Sequence, residues 1–205
     1  MMMLRFKQHI TERASQLRSV DLMDADSYDE AYEKLMQLKP TKLGEGMFSA
    51  VFGGEGKLVV KLTDSGTDGT YWYLQEAKKR WMQNPHFPRV AFIKPFELSY
   101  GYVAVMEQLD FSIGSIERVF GISFNNIKHI IFDYMDYKVS KDKEKIYFPL
   151  IHKFPKLVEV FETILDLDEK YISKFDLHSG NIAVRKNTPV IVDPLSATIS
   201  SYNTK

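Results

Sequence analysis

Three residues near the end of the chain have the types and spacing that phosphoryl transfer requires. Asp176 and Asn181 are five positions apart, and Asp193 follows an apolar run over residues 189–192. Such active sites need a carboxylate beside the attacking hydroxyl, with an amide and a second carboxylate to hold Mg²⁺ on the phosphates. Asp176 is therefore the candidate catalytic base, and Asn181 and Asp193 are the candidate metal ligands. The competing interpretation is a simple turn, because Asp, Ser, Gly and Asn all favour turns.

A glycine-containing segment far upstream could hold the phosphates of ATP. Gly44 and Gly46 supply the small residues that let a loop close over phosphate groups, and Val51 is placed to cover the adenine. Ser49 stands where a third glycine is common. Two glycines between apolar runs also form ordinary hairpin turns, so this segment gains its meaning from the residues that follow.

A lysine inside an apolar strand follows the glycine segment. Lys61 interrupts the strand-like run 57–62, and a buried ammonium group requires an anionic partner. We expect Lys61 to contact the ATP phosphates, and Glu76, in the helix-forming run 71–82, to orient it. The alternative is a lysine on an edge strand whose ammonium reaches water.

The elements that position these residues alternate in type along the chain. Residues 1–40 are expected to form an N-terminal helical extension, in which Ser27 caps a helix. Residues 41–110 are predicted to be rich in β-strands around one helix. Their last strand ends at Glu107, where backbone groups would meet the adenine edge. Residues 111–205 are predicted to be mainly helical and to carry the catalytic loop and a short hairpin. The fold class is therefore α+β.

Composition limits the classes of function. The 205 residues contain 27 basic and 27 acidic side chains, so no strong field attracts the chain to nucleic acid or to acidic membranes. The absence of cysteine excludes disulfides and thiolate metal sites. No apolar run is long enough to span a bilayer, and we expect a cytoplasmic protein.

Taken together, the motifs resemble those of protein-kinase-like enzymes, and most closely the early Ser/Thr protein kinases of T7-like bacteriophages. The shared features are the glycine segment at 44–50, the loop at 175–181 and the Asp-Pro-x-Ser segment at 193–196. The resemblance implies a bilobal fold with a β-rich N-lobe and, since few residues follow Asp193, a reduced helical C-lobe. It also implies ATP and Mg²⁺ as cofactors, autophosphorylation, and host protein substrates, including transcription and translation machinery, in the host cytoplasm. Membranes and nucleic acid are not expected partners.

The chain departs from ordinary protein kinases at two points. Lys174 and Phe175 replace the usual His-Arg pair before the catalytic Asp, and Pro194 follows the metal Asp in place of Phe-Gly. The first change removes the arginine that senses phosphate on an activation loop.

Three other functions remain open. An Asp-x-His-x-Gly-Asn loop is also common in aminoglycoside-like small-molecule phosphotransferases, so such an acceptor is one alternative. A kinase-fold protein that inhibits a host partner by binding is the second, and it would not need the whole set of candidate site residues. A nucleic-acid-binding module is the third and the least favoured, because the net charge is zero and the chain lacks a basic stripe. Within the loop, we expect His178 to have a structural role, donating a hydrogen bond to a backbone carbonyl.

Overall fold

The computed structural model describes residues 22–46, 48–53, 57–64, 69–140, 149–171 and 174–196. Contacts divide the chain into two compact units, which we call the first and second units. The first unit consists of Met1–Thr67 and Arg89–Gln108, and the second of Asp68–Pro88 and Leu109–Lys205. The α+β class expected from the sequence is confirmed. No helix in the described part of the chain is long and apolar enough to cross a membrane.

The first unit is built on a five-stranded antiparallel sheet. Its strands are β1 (Thr41–Glu45), β2 (Ser49–Gly53), β3 (Leu58–Thr63), β4 (Val90–Pro95) and β5 (Tyr102–Glu107). They lie in the order β1-β2-β3-β5-β4. The three inner strands are rich in β-branched and aromatic residues, which pack well on a pleated surface. Gly54 and Gly56, whose residue types predict a turn before β3, lie outside the described residues.

One helix packs on a single face of this sheet. Helix α1 (Tyr28–Met36) follows a short 3₁₀ turn (Leu22–Asp24) and begins as predicted, with the Ser27 hydroxyl accepting from the Glu30 amide at 3.2 Å. Its buried residues join alternate residues of three strands in one core: Ala31, Leu35, Ala50, Phe52, Val60, Leu62, Val103 and Val105. The intervening strand residues therefore point to the opposite face.

The connection between β4 and β5, residues 96–101, approaches the end of β3 closely. Gly101 has a φ of +127°, a backbone conformation that residues with a Cβ atom rarely adopt. The Thr63 carbonyl also occupies the place that a Cβ on Gly101 would take. Only glycine therefore allows the connection to approach the end of β3 so closely.

The second unit is mainly helical. Its helices are α2 (Gly69–Arg80), α3 (Ile113–Phe120), α4 (Phe124–Ser140), α5 (Pro149–Lys153) and α6 (Leu157–Tyr171). Two short antiparallel pairs accompany them: β6 (Lys174–Phe175) with β9 (Leu195–Ser196), and β7 (Ile182–Arg185) with β8 (Thr188–Ile191). The hairpin expected after the catalytic loop is thus present.

The units cut across the segments predicted from the sequence. Helix α1, expected in an N-terminal extension over 1–40, shares the core of the sheet. Helix α2, expected in the 41–110 segment, groups with the second unit because it packs against α6 and β9. Local sequence patterns do not report these long-range contacts.

Asp110 joins the start of α3 to the hairpin of β7 and β8. Its main chain exchanges hydrogen bonds with Val184, at 3.2 and 2.8 Å. Its carboxylate accepts from the Ser112 amide at 2.9 Å, just before the helix begins. Hydrogen bonds from Ser115 and Ser112 lower the pKa of Asp110 to about 2. The carboxylate therefore binds the amide of the residue just before α3, where the Ser112 side chain makes no cap bond.

Candidate active site

Pairing of β6 with β9 brings the two predicted carboxylate residues to one place. Asp176 directly follows β6, and Asp193 lies two residues before β9. The main-chain amide of Asp176 donates to the carbonyl of Pro194 at 2.8 Å. Residues that lie 17 positions apart in the chain are thus neighbours, as phosphoryl transfer requires of a base and a metal ligand.

Asn181 closes the loop that begins at Asp176. Its Nδ2 donates to the Asp176 carbonyl at 2.8 Å, and its own carbonyl accepts from the Val192 amide at 2.9 Å. The side chain is buried, with 5% of the residue exposed. Because Nδ2 is directed to the main chain, Oδ1 is the atom of this amide that could bind a cation.

His178 braces the middle of the same loop. Its Nδ1 accepts from the Gly180 amide at 3.0 Å, and its Nε2 lies 3.8 Å from Asp176 Oδ2. The expectation that His178 donates to a backbone carbonyl is therefore wrong for Nδ1, because its partner is an N–H group. A Cβ on Gly180 would lie 2.8 Å from His178 Cε1, so glycine is what allows the ring to approach. The His178 side chain is exposed and stays accessible to a substrate.

The carboxylate of Asp193 is held by a residue that the sequence analysis missed. The hydroxyl of Thr70, at the start of α2, donates to Asp193 Oδ1 and lies 3.1 Å from the Leu195 carbonyl. One turn later, the Tyr73 hydroxyl donates to the Ile191 carbonyl at 2.8 Å. Burial, and then the negative charge of Asp193, raise the pKa of Tyr73 well above its usual value, so the phenol remains a donor.

The side chains of Asn181 and Asp193 suit a hard divalent cation. Mg²⁺ takes oxygen ligands, and it is usually held by one or two carboxylates together with substrate phosphates and water. Asn181 and Asp193 supply an amide oxygen and a carboxylate of that kind. Among the described residues, no group of three or more His, Cys, Asp or Glu side chains forms a metal site of its own.

Lys61 and Val51 lie side by side on the first unit's sheet. Lys61 pairs with Val51 on one side and with Ala104 on the other, so the three side chains share the face opposite α1. Only 6% of Lys61 is exposed. An edge-strand lysine that reaches water is therefore excluded, since β3 is the central strand. Ala104 is a further neighbour that sequence spacing did not identify.

The glycine segment forms the hairpin between β1 and β2. The Gly46 amide donates to the Ser49 carbonyl at 2.7 Å, and Asp64 donates to the Phe48 carbonyl at 2.9 Å. Gly44 lies beside a register shift in β1, and a Cβ there would meet nothing within 4 Å. Packing thus does not demand a glycine at 44, whereas a Cβ on Gly46 would lie 3.3 Å from Ser49 Oγ.

Two predicted glutamates have local partners. Glu76 accepts from Lys79 at 2.7 Å and from Arg80 at 3.2 Å within α2, and the hydrogen bond from Lys79 lowers its pKa. Glu107 accepts from the Arg89 amide at 2.8 Å, and its own amide donates to the Arg89 carbonyl at 3.0 Å. Pairing of Glu76 with Lys61, which lies in the other unit, stays a prediction. So does the contact of the Glu107 region with adenine.

Comparison with known proteins finds structural similarity at low sequence identity. No protein-family model matches the chain, and no curated protein matches it. Among solved structures, it is similar to APH(2″)-IIa in its ternary complex with streptomycin and ATP. The sequence identity is 16%, the match covers 82% of this chain and 72% of that one, and the TM-score is 0.35. A match at this TM-score supports no conclusion about activity.

Proposed function

We propose that this protein is an ATP- and Mg²⁺-dependent phosphotransferase. The observation that carries the proposal is the hydrogen-bonded arrangement of Asp176, Asn181 and Asp193 within the second unit. The Asp176 amide is bound to Pro194, the Asn181 side chain to Asp176, and the Asn181 carbonyl to Val192. A turn that forms through local propensity alone would not need these bonds to Val192 and Pro194, which lie beyond the β7–β8 hairpin.

Each residue of the set has one role in the proposed reaction. Asp176 orients the acceptor hydroxyl and takes its proton as the oxygen attacks the γ-phosphorus and the bond to ADP breaks. Asn181 and Asp193 would hold Mg²⁺, which when bound neutralises charge on the phosphates.

The residues of the first unit bind the nucleotide in this proposal. Lys61 contacts the phosphates under the loop of Gly44, Gly46 and Ser49. Val51 and Ala104 present an apolar surface for the adenine. The protein supplies positioning and charge, and forms no covalent intermediate.

For the acceptor, we propose Ser and Thr hydroxyls of proteins. The support is the resemblance of the motifs at 44–50, 175–181 and 193–196 to phage Ser/Thr kinases, whose substrates are host proteins. The arginine that senses activation-loop phosphate is absent from the position before Asp176. The main chain of Asp176 is instead held by Pro194. We therefore propose a loop that is assembled without prior phosphorylation.

A small-molecule hydroxyl is the second candidate acceptor. The observation in its favour is the exposed His178 ring, 3.8 Å from the Asp176 carboxylate in an Asp-x-His-x-Gly-Asn loop. A polar acceptor such as an aminoglycoside or a sugar could bind both side chains at once.

The test compares wild type with Asp176→Asn, which keeps the shape of the side chain but removes the base. Each protein is incubated with γ-labelled ATP and Mg²⁺, alone, with bacterial cytosolic extract, and with aminoglycosides or sugars. Asp133→Asn, at an exposed aspartate of α4, is the matched control. We expect label on proteins with wild type and with the control, and a loss of at least about 100-fold with Asp176→Asn.

The other outcomes separate the alternatives. Label on the small molecules alone would reassign the acceptor and keep the phosphotransferase. Equal labelling by wild type and Asp176→Asn would refute the role of Asp176. Absence of any transfer, together with a biological effect that Asp176→Asn retains, would favour a kinase-fold protein that acts by binding.

A further inference from the structure

We propose that Thr70 is a positioning residue, whose hydroxyl sets the direction in which the Asp193 carboxylate faces. The inference rests on the proposed function, in which Asp193 is a metal ligand. It adds Thr70, a residue that no sequence motif of the site includes. Thr70 and Asp193 are 123 positions apart in the chain, yet the hydroxyl of one donates to Oδ1 of the other.

The Thr70 hydroxyl lies in a buried setting beside Asp193. The residue is fully buried, which strengthens its polar contacts. A hydroxyl has a single hydrogen, and the acceptors of this one include Asp193 Oδ1 and the Leu195 carbonyl at 3.1 Å. The bond to an ionised carboxylate is the stronger of the two. The hydroxyl therefore binds Asp193 and stays close to the Leu195 carbonyl.

Helix α2 attaches to this segment at a second point. Tyr73, one turn beyond Thr70, is also fully buried and donates to the Ile191 carbonyl at 2.8 Å. Side chains of the helix thus bind the main chain at the end of β8 and the carboxylate of Asp193. Because two buried residues on one helix face make these bonds, the orientation of the carboxylate follows the position of α2.

The expected consequence concerns the metal more than the nucleotide. Side chains that orient a metal ligand typically change metal affinity 10- to 100-fold when they are replaced. Without the Thr70 hydroxyl, the Asp193 carboxylate loses a bond that orients it, and a cation on the phosphates is held less firmly. Nucleotide binding in the absence of metal does not involve Asp193 in this way, so it should not change.

The experiment measures binding of a fluorescent ATP analogue, TNP-ATP, to the full chain in EDTA and in excess Mg²⁺. The ratio of the two dissociation constants is the gain in affinity that the metal provides. Thr70→Val keeps the shape but removes the hydroxyl, and we expect this gain to fall about tenfold while the constant in EDTA is unchanged. Thr70→Ser keeps the hydroxyl and should restore the wild-type gain.

A matched control separates this effect from the general loss of a buried hydroxyl bond. Thr163, in α6, is 5% exposed and donates to the Glu159 carbonyl at 2.7 Å. Thr163→Val should therefore keep the wild-type gain. If Thr70→Val does not fold, the pair Thr70→Ala and Thr70→Ser replaces it, because the two differ in the hydroxyl alone.

The outcomes distinguish the inference from the proposed function. An unchanged Mg²⁺ gain in Thr70→Val, with a clear gain in wild type, overturns the role of Thr70 and leaves the phosphotransferase intact. A wild type without any Mg²⁺ gain overturns both. A fall in the EDTA and Mg²⁺ affinities by the same factor would show a structural role only, and it also overturns the inference.

Discussion

The side-chain amide of Asn181 donates to the main-chain carbonyl of Asp176 at 2.8 Å. The two ends of the candidate catalytic loop are thus bound to each other through a buried side chain. The bond serves two purposes in the proposed site, because it fixes the main chain of the base and turns the amide oxygen of Asn181 away from that main chain.

Replacing Asn181 with Asp tests this relationship. The change keeps an oxygen that could bind Mg²⁺, but it places a carboxylate oxygen against the Asp176 carbonyl, so a buried donor is lost. We expect the free energy of unfolding to fall by about 1–3 kcal/mol, measured by urea denaturation at pH 7. Asn126→Asp, at an exposed position in the first turn of α4, should change stability by less than about 0.5 kcal/mol. Equal stability of Asn181→Asp and wild type would contradict the role of the donor.

Lys61→Met should abolish most of the transfer. Lys61 is buried beside Val51 and Ala104, and its ammonium is the group that would contact the ATP phosphates. A methionine of similar length fills the same space without the charge, so we expect transfer from ATP to fall at least about 100-fold. Lys57→Met, at an exposed lysine just before β3, is the control and should transfer phosphate as wild type does. Full activity of Lys61→Met would remove Lys61 from the site.

Two glycine substitutions should have opposite effects on stability. Gly101→Ala places a Cβ against the Thr63 carbonyl at φ +127°, and we expect a loss of about 2 kcal/mol or more. Gly114→Ala, at an exposed position of α3 with nothing within 4 Å of the new Cβ, should gain about 0.5–1 kcal/mol. Chemical denaturation of the two variants beside wild type measures both. A neutral Gly101→Ala would mean that the β4–β5 connection can relax.

Acidification should destabilise the protein through His86. Its Nδ1 lies 2.7 Å from the Pro189 carbonyl and therefore carries the hydrogen, while burial lowers the pKa of the ring. Since the folded pKa lies below that of the unfolded chain, the contribution of His86 to stability is full above about pH 6.5. It is lost as the pH falls from there toward the lowered folded value.

Urea midpoints at pH 7.5 and pH 5.5 measure this loss. The decrease between the two values should be smaller for His86→Gln than for wild type, because glutamine does not titrate. His129→Gln, at an exposed histidine of α4, is the matched control and should behave as wild type does. An identical decrease in His86→Gln and wild type would exclude His86 as the source.

Several features of this protein follow from local sequence alone. Ser27 caps α1 as its position before an apolar-periodic run predicts, and a hairpin follows the candidate catalytic loop as expected. Capping and strand alternation depend on neighbours within a few residues, so the chain carries their signals in continuous stretches. A helix boundary departed from its prediction, because α2 spans Gly69–Arg80 and so begins two residues ahead of the expected run 71–82.

Only the tertiary structure identified the partners of the candidate site's side chains. Thr70 meets Asp193, Ala104 stands beside Lys61, and Pro194 accepts from Asp176, yet no spacing or motif joins these pairs. Each contact arises where two elements distant in the sequence pack together. A buried polar group takes whichever partner that packing brings within reach, because leaving it unpaired costs more than any local preference supplies. The sequence therefore determined which residues could do chemistry, and the packing of α2 and the β6–β9 pair decided what holds Asp176 and Asp193 in place.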